Sequence, residues 1–169
     1  MTPDSGRGSV SAVRKILVTG MSGTGKSTAL AELARRGFDV IETDRDGWSE
    51  WSESEGGYVW REERIARMLA REHERTLYVS GTVSNQGRFY PQFDAVVLLS
   101  APGSVLLDRI AVRRTNEFGK SDEERAAILC DLAEAEPRLR ATCTHEVDAA
   151  QPIDVVVDQL IRIGETGEP

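Results

Sequence analysis

Short apolar runs alternate along the chain with stretches whose apolar residues recur every three or four positions. Lys15–Thr19 (KILVT), Phe38–Ile41, Thr76–Ser80, Ala95–Ser100 and Thr144–Asp148 are brief and largely apolar, which predicts strands. Lys26–Arg36, Trp60–His73 and Ser104–Arg114 show helical spacing, with Ile65, Met68 and Leu69 predicted to face inward in the second of them. Gly37 marks a stop for the first helix, and Ser104 is a candidate cap for the third. Ser121 and Glu124 have capping-box spacing and open a fourth helix, which Pro137 is expected to kink or end. Pro152 starts a last helix through Ile163. Strands and helices in alternation predict an α/β fold of three layers, a five-stranded parallel sheet with helices on both faces. Ligands in such sheets bind beyond the carboxyl ends of the strands.

Composition narrows the function classes. With 169 residues, 40% hydrophobic and 29% charged, the chain is long enough for one folded domain, predicted over residues 14–169. Residues 1–13 (MTPDSGRGSVSAV) have no apolar centre and read as a flexible arm. A net charge of −7 argues against a nucleic-acid partner. No run of eighteen apolar residues exists to span a membrane. Cys130 and Cys143 have neither metal-ligand nor disulfide-framework spacing, so free thiols and a cytoplasmic setting are expected. His73 and His145 are isolated and read as structural or surface residues.

The candidate chemistry lies in Leu17–Leu33, LVTGMSGTGKSTALAEL. Gly20, Gly25, Lys26 and Ser27 satisfy G-x-x-x-x-G-K-[ST], after a predicted strand and before a predicted helix. Glycines let backbone N–H groups turn inward around phosphate oxygens, and the helix adds its positive N-terminus. Gly20, Gly23, Thr24, Gly25, Lys26, Ser27 and Thr28 are therefore the predicted nucleotide-binding residues, with ATP as donor. Lys26 is placed on the β- and γ-phosphates and Ser27 on Mg²⁺. Glu42, Asp44 and Asp46 follow the second strand. Asp44 is positioned to serve the acceptor hydroxyl or the metal, whereas Asp46, beside Gly47, reads as a turn.

These motifs resemble the small P-loop kinases of the adenylate kinase, shikimate kinase and gluconate kinase superfamily. GMSGTGKS, the acidic ETD after the second strand and the late Arg-rich segment carry the resemblance, which covers most of Lys15–Ile163. FYP before an apolar strand is similar to adenylate-kinase-related enzymes. The resemblance implies a P-loop NTPase fold and Mg²⁺-dependent phosphoryl transfer from ATP to a small-molecule acceptor. It implies an acceptor-binding insertion at about 45–63 and a lid at about 113–121, with Gly119 as a flexible joint. Arg113 and Arg114 would close over the transferring phosphate. Trp48, Glu42, Gln86 and Arg88 are the further candidates for acceptor contact, and Gly81 is expected to let backbone approach a ligand. A nucleotide, a nucleoside-like compound or another hydroxylated metabolite would each fit as acceptor. Neither Ser80-Gly81 nor Ser100-Ala101 supplies the acid of a complete Walker B motif, which argues against a motor. The alternative reading is a nucleotide-operated regulatory or assembly ATPase.

Overall fold

The computed structural model describes residues 12–168, so all but Ala12 and Val13 of the predicted arm lies outside the described residues. Five parallel strands form the main sheet: β1 (Lys15–Thr19), β2 (Asp39–Glu42), β5 (Leu77–Ser80), β6 (Ala95–Ser100) and β7 (His145–Asp148). Their order is β2-β5-β1-β6-β7, so β1 is central and the sheet extends outward from it on both sides. Between β2 and β5 lie β3 (Ser49–Ser52) and β4 (Gly57–Trp60), an antiparallel hairpin outside the main sheet. The helices are α1 (Lys26–Arg35), α2 (Glu62–Ala70), α3 (Gly103–Val112), α4 (Asp122–Thr142) and α5 (Ile153–Thr166), with a 3₁₀ turn at Gln86–Gln92.

The period-2 alternation of β1 divides the core. Ile16 and Val18 pack with Leu30 and Leu33 of α1 and with Val156, Val157 and Leu160 of α5. Leu17 faces the opposite layer, with Ile65, Met68 and Leu69 of α2, Trp60, Phe89 and Phe93. The predicted inward residues of α2 are thus its buried stripe. Each fully buried side chain of this size contributes about 1.5–3 kcal/mol. Both sheet faces are covered, which explains why the central strands are apolar throughout.

Three local expectations change. The segment predicted only as an insertion contains the β3–β4 hairpin, and α2 begins after Arg61. Helix α4 continues through Pro137 to Thr142. Pro137 has no N–H to give the Ala133 carbonyl, but both residues are exposed, where water can serve that oxygen, so the helix is not ended there. Pro102, not Ser104, precedes α3, and no side chain caps that end. The Ser121–Glu124 capping box is present, and backbone N–H groups of Ser121 and Gly119 hold the Glu124 carboxyl below its usual range.

Candidate nucleotide and acceptor site

The β1–α1 connection is built as a phosphate cradle. Gly20 is pressed against β6, and a Cβ there would lie 2.4 Å from the Leu99 carbonyl oxygen. Gly25 adopts φ 89° and begins α1 without a side-chain cap, which leaves the first N–H groups of the helix for another acceptor. Buried Thr24 donates its hydroxyl to the Met21 carbonyl at 2.9 Å and braces the loop from inside.

Lys26 curls back over this loop. Its Nζ donates to Gly20 O at 2.5 Å and Met21 O at 3.2 Å. Enclosure by the loop lowers its pKa to about 8, against the opposing field of Asp44. A desolvated ammonium whose hydrogen bonds go to loop carbonyls is a strong receptor for phosphate oxygens. Beside it, Ser27 Oγ donates to Glu42 Oε2 at 3.3 Å, and the same carboxylate oxygen lies 3.2 Å from Arg45 Nε.

A cavity of about 720 Å³ opens over these groups and brings together Lys26, Ser27, Thr28, Glu42, Asp44 and Arg113. Its far wall comes from Arg109 of α3 and from Ile153 and Val156 of α5. Arg109 is fixed by donating to Ala149 O at 2.6 Å and Gly23 O at 3.5 Å. It therefore ties the loop to the connection after β7. Arg113 donates to Phe118 O at 2.7 Å and Asn116 O at 3.3 Å, bracing the irregular segment between α3 and α4.

A second, open groove of about 1120 Å³ lies between the hairpin and α2 and shares no lining residue with the first. It starts at Gly47, three residues beyond Asp44. Trp48 lies in its wall, with the Arg64 guanidinium stacked 4.0 Å from its ring centroid. Arg64 also donates to Asp46 O at 2.5 Å, where Asp46 has φ 56°. The acidic turn is thus pinned to α2.

A family model described as AAA domain matches residues 16–130, more than half of the chain. The chain belongs to the AAA domain family. Shikimate kinase 2 of Yersinia enterocolitica is 28% identical over 174 residues, covering 88% of this chain and 94% of the relative. Among solved structures, a shikimate kinase from Bacteroides thetaiotaomicron has a TM-score of 0.64 at 20% identity, covering 90% of this chain and 98% of that one. A gluconokinase from Sinorhizobium meliloti has a TM-score of 0.55 at 24% identity, with coverage of 90% and 94%. These similarities share the five-stranded parallel sheet with helices around it.

Within this AAA domain the sequence-predicted residues separate into groups. Gly23, Thr24, Gly25, Lys26, Ser27, Thr28, Glu42, Asp44 and Arg113 line one cavity, and Gly20 is buried at the start of the loop, outside that lining. Trp48 lines the neighbouring groove instead. Arg114 lies outside the lining of both cavities. Gln86, an acceptor candidate from sequence, is buried, with Nε2 donating to Thr19 Oγ1 at 3.1 Å and Tyr90 OH at 2.9 Å. Its Oε1 accepts from Val83 N–H at 3.0 Å, so the amide is spent on internal bonds. Arg88 pairs with Glu62. Arg45, Arg109 and Ile153 are cavity residues beyond those predicted as site residues; their shared signal is position, just after a strand or on α3 facing the loop.

Proposed function

We propose that this AAA domain is an ATP- and Mg²⁺-dependent kinase that transfers a phosphoryl group to a hydroxyl of a small molecule. The observation that carries the reading is that the Asp44 carboxylate shares one cavity with Lys26 and Ser27. A phosphate cradle alone serves any nucleotide protein. A carboxylate just past the end of β2, in the same cavity as the Lys26 that would reach the phosphates, is what transfer to a second substrate needs.

In the proposed mechanism Lys26 exchanges its two loop carbonyls for donor phosphate oxygens. Asp44 accepts the proton of the acceptor hydroxyl as the new O–P bond forms and the bond to the ADP oxygen breaks. Arg113, at the root of the 113–121 segment, stabilises the transferring oxygens and limits water. The donor set fits Mg²⁺: a serine hydroxyl and the Glu42 carboxylate adjoin, with Asp44 in the same cavity. Among the described residues no cluster of three His, Cys, Asp or Glu side chains is built to hold a metal. That suits an ion bound through few protein oxygens, with phosphate and water completing its shell. When bound, Mg²⁺ supplies neutralisation of phosphate charge.

The groove along α2 is the proposed acceptor side. Two of its four arginines meet carboxylates: Arg61 with Glu50 at 3.4 Å, Arg67 with Glu63 at 3.2 Å. Walls of mixed charge, with three glutamates among the arginines and beside aromatic surface, favour a hydroxylated metabolite over a strongly anionic nucleotide. The deciding experiment incubates the protein with Mg²⁺-ATP and pooled nucleoside monophosphates, nucleosides and hydroxylated metabolites, then reads phosphorylated products by mass. A product names the acceptor. ADP release independent of every pool would reject the acceptor-directed reading in favour of a regulatory ATPase.

A further inference from the structure

Thr82 lies just past the end of β5, at no position that a nucleotide motif specifies. The Gly81 N–H donates to Val18 O at 3.2 Å and brings this segment to the end of β1, against the phosphate loop. Thr82 Oγ1 donates to Gly20 O at 2.7 Å and accepts from Gly20 N–H at 3.3 Å. It also lies 3.3 Å from Thr19 Oγ1, which in turn accepts from Gln86 Nε2 at 3.1 Å. Only one proton arrangement uses every donor: Gln86 amide to Thr19 hydroxyl, Thr19 hydroxyl to Thr82 hydroxyl, Thr82 hydroxyl to the Gly20 carbonyl. The buried Gln86 therefore orients an ordered relay that ends on the first peptide of the loop.

Gly20 O simultaneously accepts from Lys26 Nζ at 2.5 Å. When Lys26 turns to a phosphate, that bond is lost, and so is the one to Met21 O. Among the described residues the Gly20 carbonyl then keeps the Thr82 hydroxyl as its partner. We infer that Thr82 is a positioning residue for nucleotide binding, holding the Gly20 peptide in its cradle orientation while Lys26 is released to the phosphates. The inference rests on the nucleotide-binding reading of the loop but on no particular acceptor.

Thr82 is exposed, so replacing its hydroxyl opens no hole in the core. Thr82→Val keeps the branched shape and removes the hydroxyl; Thr82→Ser keeps the hydroxyl and removes the methyl. The test is calorimetric titration of the full chain with a non-hydrolysable Mg²⁺-ATP analogue, beside thermal melting of the unliganded proteins. Thr82→Val is expected to bind about three- to tenfold more weakly, the range of one net hydrogen bond. Thr82→Ser should bind within about twofold of wild type, and the valine variant should melt within a few degrees of it. Equal affinity of Thr82→Val and wild type overturns the inference. So does a serine variant as weak as the valine one, because the methyl would then be the active group. Absence of analogue binding by the wild-type chain would instead remove the nucleotide reading, and this inference with it.

Discussion

At Gly81 the backbone passes where no side chain fits: a Cβ would lie 2.4 Å from Thr43 Oγ1 and 2.9 Å from Trp60 Cζ2. Thr43 donates to Ser80 O at 2.7 Å and accepts from the Trp60 indole at 2.8 Å, so neither neighbour can yield without breaking a buried bond. Gly81→Ala should therefore destabilise the protein by about 1–3 kcal/mol, the usual cost of overpacking, measured by urea unfolding. An unchanged midpoint would show that Trp60 repacks freely. From sequence this glycine reads as room for a ligand, but the room is taken by tryptophan and threonine of the same chain. Asp44 makes the opposite case. Its place after β2 was legible, and its exposed carboxylate faces the cavity rather than a partner. Asp44→Asn should keep analogue affinity and lose transfer by about 10² or more. Transfer within a factor of about three would take Asp44 out of the mechanism.

The elements that were hardest to anticipate are those whose order comes from pairing rather than from apolar period. In β3 and β4, Ser49 faces Trp60 and Trp51 faces Tyr58 across the hairpin, and only Trp60 is buried. Neither four-residue strand carries the alternation that marks a half-buried strand, so the register is visible only once both strands are in place. The cradle, by contrast, was legible because glycine spacing, strand and helix specify one backbone path. Between α3 and α4 the sequence suggested a loose joint at Gly119. The structure packs that glycine against Ile110 and Ile128 and caps its N–H with Glu124 at 3.0 Å. Residues 113–118 are left as the irregular stretch, which Arg113 braces through two carbonyls. Arg113→Ala should lower turnover by about tenfold or more while changing analogue affinity by less than about threefold. Loss of affinity with turnover at saturation intact would recast Arg113 as a donor anchor.

Across the whole molecule, α1 and α5 meet on one face of the sheet. Arg36, just after α1, reaches Asp158 of α5 at 2.6 Å and is braced by Glu32 at 2.8 Å. The helix that carries Lys26 at its start is therefore tied at its finish to the helix that supplies Ile153 and Val156 to the same cavity. Hydrogen bonds from Arg35 and then Arg36 lower the Glu32 pKa to about 2 from 4.5. A carboxylate whose folded pKa lies below its unfolded value stabilises the fold above the unfolded pKa and loses that contribution as it protonates. The window here runs from about pH 4.5 down to about pH 2. Glu32→Gln should lower the melting temperature at pH 7 and flatten its decline through that window. The slope will not vanish, because Glu124 and Glu146 are also held below their usual range by the α4 cap and by Arg140. Parallel melting curves for wild type and Glu32→Gln from pH 5 to pH 2 would place the acid sensitivity elsewhere and leave Glu32 without a charge-dependent part in the α1–α5 contact.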